Sequence, residues 1–575
     1  MSYNILAINP GHNGSAALVS DGKLVRFIEE ERLTRKKYDG NPFRAMFEMM
    51  YEYEIHELII GGTGQEEHRL PWTGENSYTA IVRKLFPNVK VTKRGNQHHL
   101  GHVYSAFYNS GFEKAIAIVV DGSGSFHKLS VSLNYEKTVE QEGYETESSW
   151  LFEFPREVEL IHASIGNNRG NCGTFNTERF KISDSTNIVK SYEAVTNYLG
   201  FDYIDAGKTM GLSAYGEEDE NIPPLFINKF SNKNIFNTNY PAGGFIEENS
   251  YPYLFRKKSP NRWHHNQKFL TDAEKNLAWK IQKETQELVG DYIEESVIKH
   301  GIKNIVISGG YGLNCVANYY YKKRFPMLNF YIDPISHDGG TAIGLAMDAW
   351  SMHAVQENIE FKPQKLSSVY LGIDRNNTLQ DDVETFKDEY EIIDTTSEEV
   401  AKLISEKNIV CIFNGRAEAG PRALGNRSIL YDPRDPNGKK VVNEVKGREW
   451  FRPFAGSVLK EYANEWFDMA GLEESPFMMY AVDVLKEKKD SIPCITHVDG
   501  TCRVQTVSEE DNEYFYDLIS EFNKITNVPI LFNTSFNLAG EPMVETFEDA
   551  IKSMKNSKLE YLYLPYCKLL LKVKK

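Results

Sequence analysis

Cysteine is scarce and never closely paired. The 575-residue chain holds six, among them Cys172, Cys315, Cys411 and Cys502, and no CxxC spacing. In a chain of this size that excludes a disulfide framework and reads as reduced thiols in a cytoplasm. Long apolar runs are missing as well. No uninterrupted stretch is long enough to span a bilayer, and Met1 to Ile5 shows no basic region leading into an apolar one. Neither a membrane helix nor a signal peptide is expected. An excess of positive charge is also absent. The formal net charge is -16 and the pI about 5.5, which opposes a general nucleic-acid-coating surface but leaves room for a local basic groove. What remains is ordinary for globular protein: 41% apolar and 25% charged residues, over a length that calls for more than one domain.

The first feature that carries chemistry is Gln97-His98-His99-Leu100-Gly101-His102. His98 and His102 are four apart, so a helix would set both imidazoles on one face, as two ligands of one metal ion require. Position 99 is His rather than Glu, so the HExxH zinc-protease pattern fails. An apolar run, Ala115 to Val120, reads as a buried strand that ends in Asp121-Gly122-Ser123-Gly124-Ser125. Asp121 at that strand end can point into a cleft. The competing reading is a pair of surface or capping histidines with a turn-shaping Asp121. Asp338, in Ser336-His337-Asp338-Gly339-Gly340-Thr341, sits at another strand-to-helix turn and can supply an oxygen ligand.

Taken in order, the chain begins strand, glycine turn, hairpin. Ile5 to Ile8 is followed by Asn9-Pro10-Gly11-His12-Asn13-Gly14-Ser15, then by two strands around Asp21-Gly22. Sugar-kinase and actin-like folds begin this way, and Asp121 to Ser125 looks like a second copy, which suggests duplicated α/β halves. Glu136 to Ser149 is acidic and is expected as a loop; Asp205 to Leu212 is expected as a glycine-bounded turn. Thr271 to Glu274 is a helix-capping box. After the strand Asn304 to Ser308, the turn Gly309-Gly310-Tyr311-Gly312-Leu313-Asn314 is expected to approach a nucleotide closely. Arg256 to Phe269 combines positive charge with aromatics and has no acid: a contact strip for a nucleic-acid strand, or simply a solvated loop.

Glu357 to Ser368 is polar, and the domain boundary is placed there, giving domains 1–360 and 361–575. The second domain holds the densest basic cluster, Gly415 to Ser428, followed by Val445 to Arg452. Arginine and lysine interleaved with Gly and Pro cannot form a core element and mark a site for a small polyanion, since guanidinium groups bind phosphate bidentately. Thr496 to Gln505 and Phe532 to Asn537 add polar groups at strand ends.

Together these motifs, with GHNGS, EERLTRKK, HHLGH, VVDGSGS, GGYGLN, HDGG, GRAEAGPRALGNRS, KGREWFRPFA, HVDGTCRVQT and NTSFN in this order, resemble the O-carbamoyltransferases of the NodU/CmcH type over nearly the whole chain. The resemblance implies an N-terminal sugar-kinase/actin-like (ASKHA) domain fused to a C-terminal YrdC-like domain. It implies that carbamoyl phosphate and ATP, with Mg2+, give carbamoyl-adenylate and pyrophosphate in the second domain, and that a hydroxyl then takes the carbamoyl group in the first. Residue by residue, it places Fe2+ or another divalent metal on His98, His102 and Asp338, with Asp121 as a further ligand or just outside. His12 matches the general base. Gly309, Gly310, Gly312 and Asn314 would hold the adenylate. Arg416 and Lys446, as catalytic groups, and Arg422, Arg448 and Arg503 would neutralise carbamoyl phosphate and ATP, with Ser535 and Asn537 as hydrogen-bond partners. Tyr135 to Lys190 carries no motif that aligns. The expected acceptor is a 5-hydroxymethylpyrimidine in DNA, for which the basic-aromatic strip and the AT-rich flavour of the composition stand; the alternative is a sugar or antibiotic hydroxyl. tRNA threonylcarbamoyl transfer and a non-catalytic ATP-binding scaffold are the remaining readings. The expected setting is the cytoplasm of a bacterium or phage-infected host, with no membrane partner and a possible homodimer.

Overall fold

A strand with no polar alternation needs cover on both faces, and the first one, β1 (Asn4–Asn9), is buried at every position. It pairs antiparallel with β2 (Ser15–Ser20), which pairs antiparallel with β3 (Lys23–Glu29). Asp21 and Gly22 both take positive φ in the connecting hairpin, as a tight two-residue turn demands. On its other side β1 runs parallel to β4 (Glu57–Ile60), and β4 parallel to β5 (Lys90–Lys93), so the order is β3-β2-β1-β4-β5.

A second sheet repeats this plan. Six of its eight strands are β6 (Lys114–Val120), β7 (Phe126–Asn134), β8 (Lys137–Glu153), β9 (Glu157–Gly166), β10 (Asn304–Ser308) and β11 (Asn329–Ile332). β6 pairs antiparallel with β8 and β8 with β9, while β6, β10 and β11 run parallel. The path β9-β8-β6-β10-β11 thus has the same order and the same directions as the first sheet, with β7 added beside β8. This is the duplicated α/β architecture expected from the two glycine turns.

The computed structural model describes residues 2–62, 76–134, 137–167, 174–176, 179–183, 187–258 and 269–574. It divides into two compact units, Met1–Glu30 with Tyr38–Leu366, and Glu31–Lys37 with Ser367–Lys575. Among the described residues no helix is long and apolar enough to cross a membrane. Most of the basic-aromatic strip, 259–268, lies outside the described residues.

Two expectations fail. Of the acidic stretch 136–149, residues 137–149 are not a loop but most of the 17-residue strand β8, and Glu136 lies outside the described residues. Pairing with β6, β7 and β9 overrides its composition, and the buried Glu147 is satisfied internally. Glu147 accepts from the Thr146 hydroxyl at 2.8 Å and the Ile188 amide at 2.9 Å. Asp205 to Leu212 is not a turn either, because Ala206–Ser213 is helical. The Thr271–Glu274 capping box is present and starts a 29-residue helix.

Helix α1 (His98–Tyr108) lies against the helix Thr341–Gln356, called α5 below after α2 (Ile188–Tyr198), α3 (Asp272–His300) and α4 (Cys315–Arg324). Two glycines permit this approach. A Cβ on Gly344 would fall 1.9 Å from the Gly101 carbonyl oxygen, and one on Gly101 would fall 2.9 Å from the Thr341 Cβ.

The second unit is built on a ten-stranded sheet. Its centre comprises β12 (Val410–Phe413), β13 (Arg427–Tyr431), β14 (Ala455–Leu459), β15 (Thr501–Val507) and β16 (Ile530–Ser535). They run in the spatial order β12-β13-β16-β14-β15. Phe413, Ile429, Phe536, Val544 and Phe547 form part of the core on one face. Helix α6 (Gly438–Lys446) ends at Gly447, in the left-handed region at φ 64°.

Candidate functional site

Helix α1 sets His98 and His102 one turn apart, and both are almost fully buried. Their Nε2 atoms lie 3.3 Å from each other. Asp121, just past β6, brings Oδ2 to 3.2 Å from His98 Nε2 and 4.0 Å from His102 Nε2. Asp338, just before α5, brings Oδ1 to 3.7 and 4.0 Å from the same two nitrogens. One ligand atom from each of the four lies within 4.8 Å of all the others. The surrounding groups hold these side chains in place. His102 Nδ1 meets the Ser308 hydroxyl at 3.2 Å, and that hydroxyl donates to Asp333 at 3.3 Å. Asp121 Oδ1 accepts from the Gly310 amide at 3.1 Å, so the glycine turn after β10 is tied to the carboxylate.

Burial and charge act against each other in this group. Burial pulls the His98 imidazole down, but Asp338 and Asp121 outweigh it and lift its pKa to about 9. Burial, reinforced by the charge on His98, holds His102 well below the usual histidine range. Burial and the Asp121 charge raise Asp338. Two carboxylates and two imidazoles thus face one point in a dry environment. A divalent cation with bonds of about 2.1 Å to a tetrahedral set would place its ligands about 3.4 Å apart. The observed separations of 3.2 to 4.0 Å accommodate that, and a mixed imidazole-carboxylate set suits first-row divalent metals.

His12 is exposed on the turn between β1 and β2, its ring 5.3 Å from that of Tyr38. The Ser15 hydroxyl at the end of this turn donates to the Gly339 carbonyl at 2.8 Å, which ties the turn to the Asp338 segment. Gly309 takes φ 86°, and a Cβ there would fall 2.5 Å from the Val120 carbonyl oxygen, so only glycine fits. A Cβ on Gly312 would fall 2.9 Å from the Ser336 hydroxyl. The Asn314 side chain caps α4 through the Ala317 amide at 3.1 Å and exchanges hydrogen bonds with Gln282 at 2.9 and 3.2 Å, which fixes the end of the turn.

In the second unit Lys446 is 3% exposed, and its Nζ donates to the carbonyls of Ser535 and Asn537 and to Asn537 Oδ1, all neutral acceptors. Burial, then the charges of Arg448 and Arg452, press its pKa well below the lysine range. Arg448 donates to the Thr534 hydroxyl at 3.3 Å and is pressed down in the same way, by burial and then by Arg452 and Arg503, with Arg422 adding to them. The Ser535 hydroxyl donates to Asn537 Oδ1 at 2.6 Å. Arg416 stands half-buried on the short strand Arg416–Glu418. Cations crowded together at a largely buried site attract an anion.

Comparison with known proteins decides the family. A model described as carbamoyltransferase N-terminus matches residues 44–347, and one described as carbamoyltransferase C-terminus matches 401–570. The chain belongs to the carbamoyltransferase family. Nodulation protein U of Rhizobium tropici is 33% identical over 97% of this carbamoyltransferase and 94% of its own length. A 3'-hydroxymethylcephem-O-carbamoyltransferase of Amycolatopsis lactamdurans is 24% identical over 95% of each chain. Full-length HypF in a phosphate- and nucleotide-bound form aligns with 61% of this chain and 55% of its own, at 11% identity and a TM-score of 0.32, a loose match. This carbamoyltransferase is an enzyme of the O-carbamoyltransferase type, as its motifs implied.

Several residues of this carbamoyltransferase stand beside the sites without having been singled out by their sequence pattern. Lys190 and Glu193 on α2 form a buried pair, Nζ lying 3.1 and 2.9 Å from the two carboxylate oxygens. The pair abuts Gly122, where a Cβ would fall 2.8 Å from Glu193 Oε1. An i,i+3 pair of opposite charges on a helix next to an unaligned segment was its only trace in the sequence. Glu418 and Arg427 shape the arginine loop from within. Glu418 Oε1 accepts from the amides of Leu424, Asn426 and Arg427 at 2.7, 2.9 and 3.3 Å. Arg427 is fully buried and stacks on Phe413 at 3.7 Å, its guanidinium bonded to backbone carbonyls.

Proposed function

We propose that the protein is an ATP-dependent O-carbamoyltransferase that divides its reaction between two sites. The observation that carries this reading is the convergence of His98, His102, Asp121 and Asp338 on one point. The crowded cations around Lys446 supply the second half of the argument. There Lys446, Arg448, Arg422, Arg503 and Arg416 hold carbamoyl phosphate and Mg-ATP by their phosphates. Water releases phosphate from carbamoyl phosphate, and an oxygen of the resulting carbamate attacks the α-phosphorus of ATP. Pyrophosphate leaves, and carbamoyl-adenylate remains.

In the first unit, His98, His102, Asp338 and Asp121 would hold a divalent cation, which would supply Lewis acidity toward the carbamoyl carbonyl. Ser308 and the Gly310 amide keep His102 and Asp121 aimed at that point. A ring nitrogen of exposed His12 takes the proton of the acceptor hydroxyl as its oxygen attacks the carbonyl carbon and AMP departs. The turn from Gly309 lets the adenylate approach the backbone.

The acceptor we favour is the hydroxyl of a small molecule. A curated relative named for a hydroxymethylcephem acceptor supports that choice, and the net charge of -16 opposes DNA. The strip on which a DNA acceptor rested lies mostly outside the described residues. The test supplies the protein with ATP, carbamoyl phosphate and either a panel of sugar and hydroxymethyl acceptors or DNA containing 5-hydroxymethylcytosine. Mass spectrometry then looks for a gain of one carbamoyl group. A gain in the DNA nucleosides alone reinstates the DNA reading. Pyrophosphate release that requires threonine and bicarbonate in place of carbamoyl phosphate overturns the scheme.

A further inference from the structure

Seven residues of the N-terminal region fold with the C-terminal one. The chain up to Glu30 and from Tyr38 belongs to the first unit, whereas Glu31–Lys37 belongs to the second. Arg32 is 4% exposed, and its Nη2 donates to the Gly420 carbonyl at 2.6 Å. Gly420, at φ 83°, is the bend of the arginine loop, two residues before Arg422. Arg35 spreads its fork over two successive carbonyls: Nη1 donates to Met543 O at 2.6 Å and Nη2 to Pro542 O at 2.8 Å. Its Nε stands 3.3 Å from Asp549 Oδ1.

The carbonyls that Arg35 grips belong to the loop that follows β16. The Val544 amide donates to the Phe536 carbonyl at 3.0 Å and closes that loop. Inside it, Asn537 Nδ2 donates to the Glu541 carbonyl at 2.6 Å, while Asn537 O and Oδ1 accept from Lys446 Nζ at 2.8 and 3.1 Å. A short run of hydrogen bonds and backbone therefore joins Arg35 to Lys446, and a single hydrogen bond joins Arg32 to the loop that carries Arg422.

We propose that Arg32 and Arg35 are positioning residues of the polyanion site, supplied to it from the first forty residues of the chain. The proposal rests on reading that site as the place where carbamoyl-adenylate forms. Neither guanidinium touches ATP in this scheme. Each fixes the backbone of a loop whose side chains do. Backbone carbonyls as acceptors suit this task, because they set the path of the loop whatever its side chains are. At position 35 arginine suits the geometry: separate nitrogens of one rigid plane reach the Met543 and Pro542 carbonyls while Nε faces Asp549, a spread that a single ammonium nitrogen does not reproduce.

Full-length Arg32→Lys and Arg35→Lys proteins keep the charge and lose the fork, and Arg35→Met loses both. Two readouts are taken beside a melting curve: carbamoyl-phosphate-dependent ATP-pyrophosphate exchange, and calorimetric binding of pyrophosphate alone. We expect the lysine variants to melt like the parent, with KM for ATP raised about fivefold or more and pyrophosphate bound about fivefold more weakly. Arg35→Met should exceed both effects; if it fails to fold, Arg35→Lys decides. Unchanged KM and unchanged pyrophosphate affinity in both lysine variants overturn the proposal. If the parent shows no exchange, the reading of the site falls. The pyrophosphate titration then still decides the positioning role, because it needs no turnover.

Discussion

A methyl group on Gly344 tests the geometry of the first site without touching any of its ligands. The added Cβ would lie 1.9 Å from the Gly101 carbonyl oxygen and 2.5 Å from the Ser105 amide nitrogen, both backbone atoms of α1. No flexible side chain stands there to move aside. Real Cβ atoms stay beyond about 3.0 Å, so α1 and α5 must part by about 1.1 Å, an overpacking that costs about 1–3 kcal/mol. His98 and His102 ride on α1, while Asp338 lies just ahead of α5, so the shift enters the ligand set directly. Metal sites tolerate displacements of about 0.2 Å, and a misplacement of about 1 Å near reacting groups costs about a hundredfold in rate. If the proposed cation site is right, Gly344→Ala should stay folded, with a lower melting temperature, and lose most of the divalent metal the parent takes up and about two orders of magnitude in carbamoyl transfer. Pyrophosphate exchange should persist. Gly207→Ala is the control, since a Cβ there meets nothing within 4 Å. It should leave transfer unchanged and stabilise its helix by about 0.5–1 kcal/mol. Metal content by elemental analysis and the transfer rate are compared for the two variants. Full metal occupancy and a rate within threefold of the parent in Gly344→Ala would refute the reasoning.

Asp338→Asn keeps the shape of the site but removes a carboxylate charge beside His98. In the metal-free protein it should lower the His98 pKa as read by NMR, and with a divalent metal supplied it should abolish detectable transfer while pyrophosphate exchange continues. Lys446→Met removes a buried charge pressed by Arg448 and Arg452. Exchange should fall by about a hundredfold or more, with little loss in melting temperature, because the repulsion goes with the charge. His162, whose Nδ1 lies 2.6 Å from the Tyr292 hydroxyl, has its pKa lowered to about 4 from 6.5, first by burial and then by Lys181. Its contribution to stability is complete above pH 6.5 and is lost as pH falls toward 4, because the unfolded chain takes up the proton first; the full span is on the order of 3 kcal/mol. Melting curves from pH 7 to 4 should flatten in His162→Gln, and an unchanged acid slope would count against that origin.

The parts of the fold that were legible share a physical trait: each is specified by a short stretch of sequence. The apolar runs of β1, β6 and β10 could be read as strands because burial on both faces leaves no polar alternation to confuse. The pair His98 and His102 could be read because one helical turn fixes their geometry. β8 was illegible for the opposite reason. Its residues are individually poor candidates for a buried strand, and only partners on both edges, from β6 to β9, make an acidic strand stable there. The helix Ala206–Ser213 was hidden in the same way by Gly207 and Gly211, which read as a turn.

The sites divide along the same line. Spacing announced which residues can ligate, yet it is silent about what brings Asp121 and Asp338 to the same point, since the α1–α5 approach depends on Gly101 and Gly344, which lie 243 positions apart. It also cannot separate an arginine that binds substrate from one that holds the fold. Within the arginine loop Arg422 and Arg427 look alike in composition. In the structure Arg427 is sealed against Phe413 with both terminal nitrogens on backbone carbonyls, and burial leaves its pKa at about 10. Arg422 remains half-exposed and acts on Arg448 from the cation cluster. A basic motif in sequence is therefore a mixture, and the discriminating quantity is the surroundings: neutral backbone oxygen around an arginine that builds the loop, and neighbouring cations around one proposed to serve an anion.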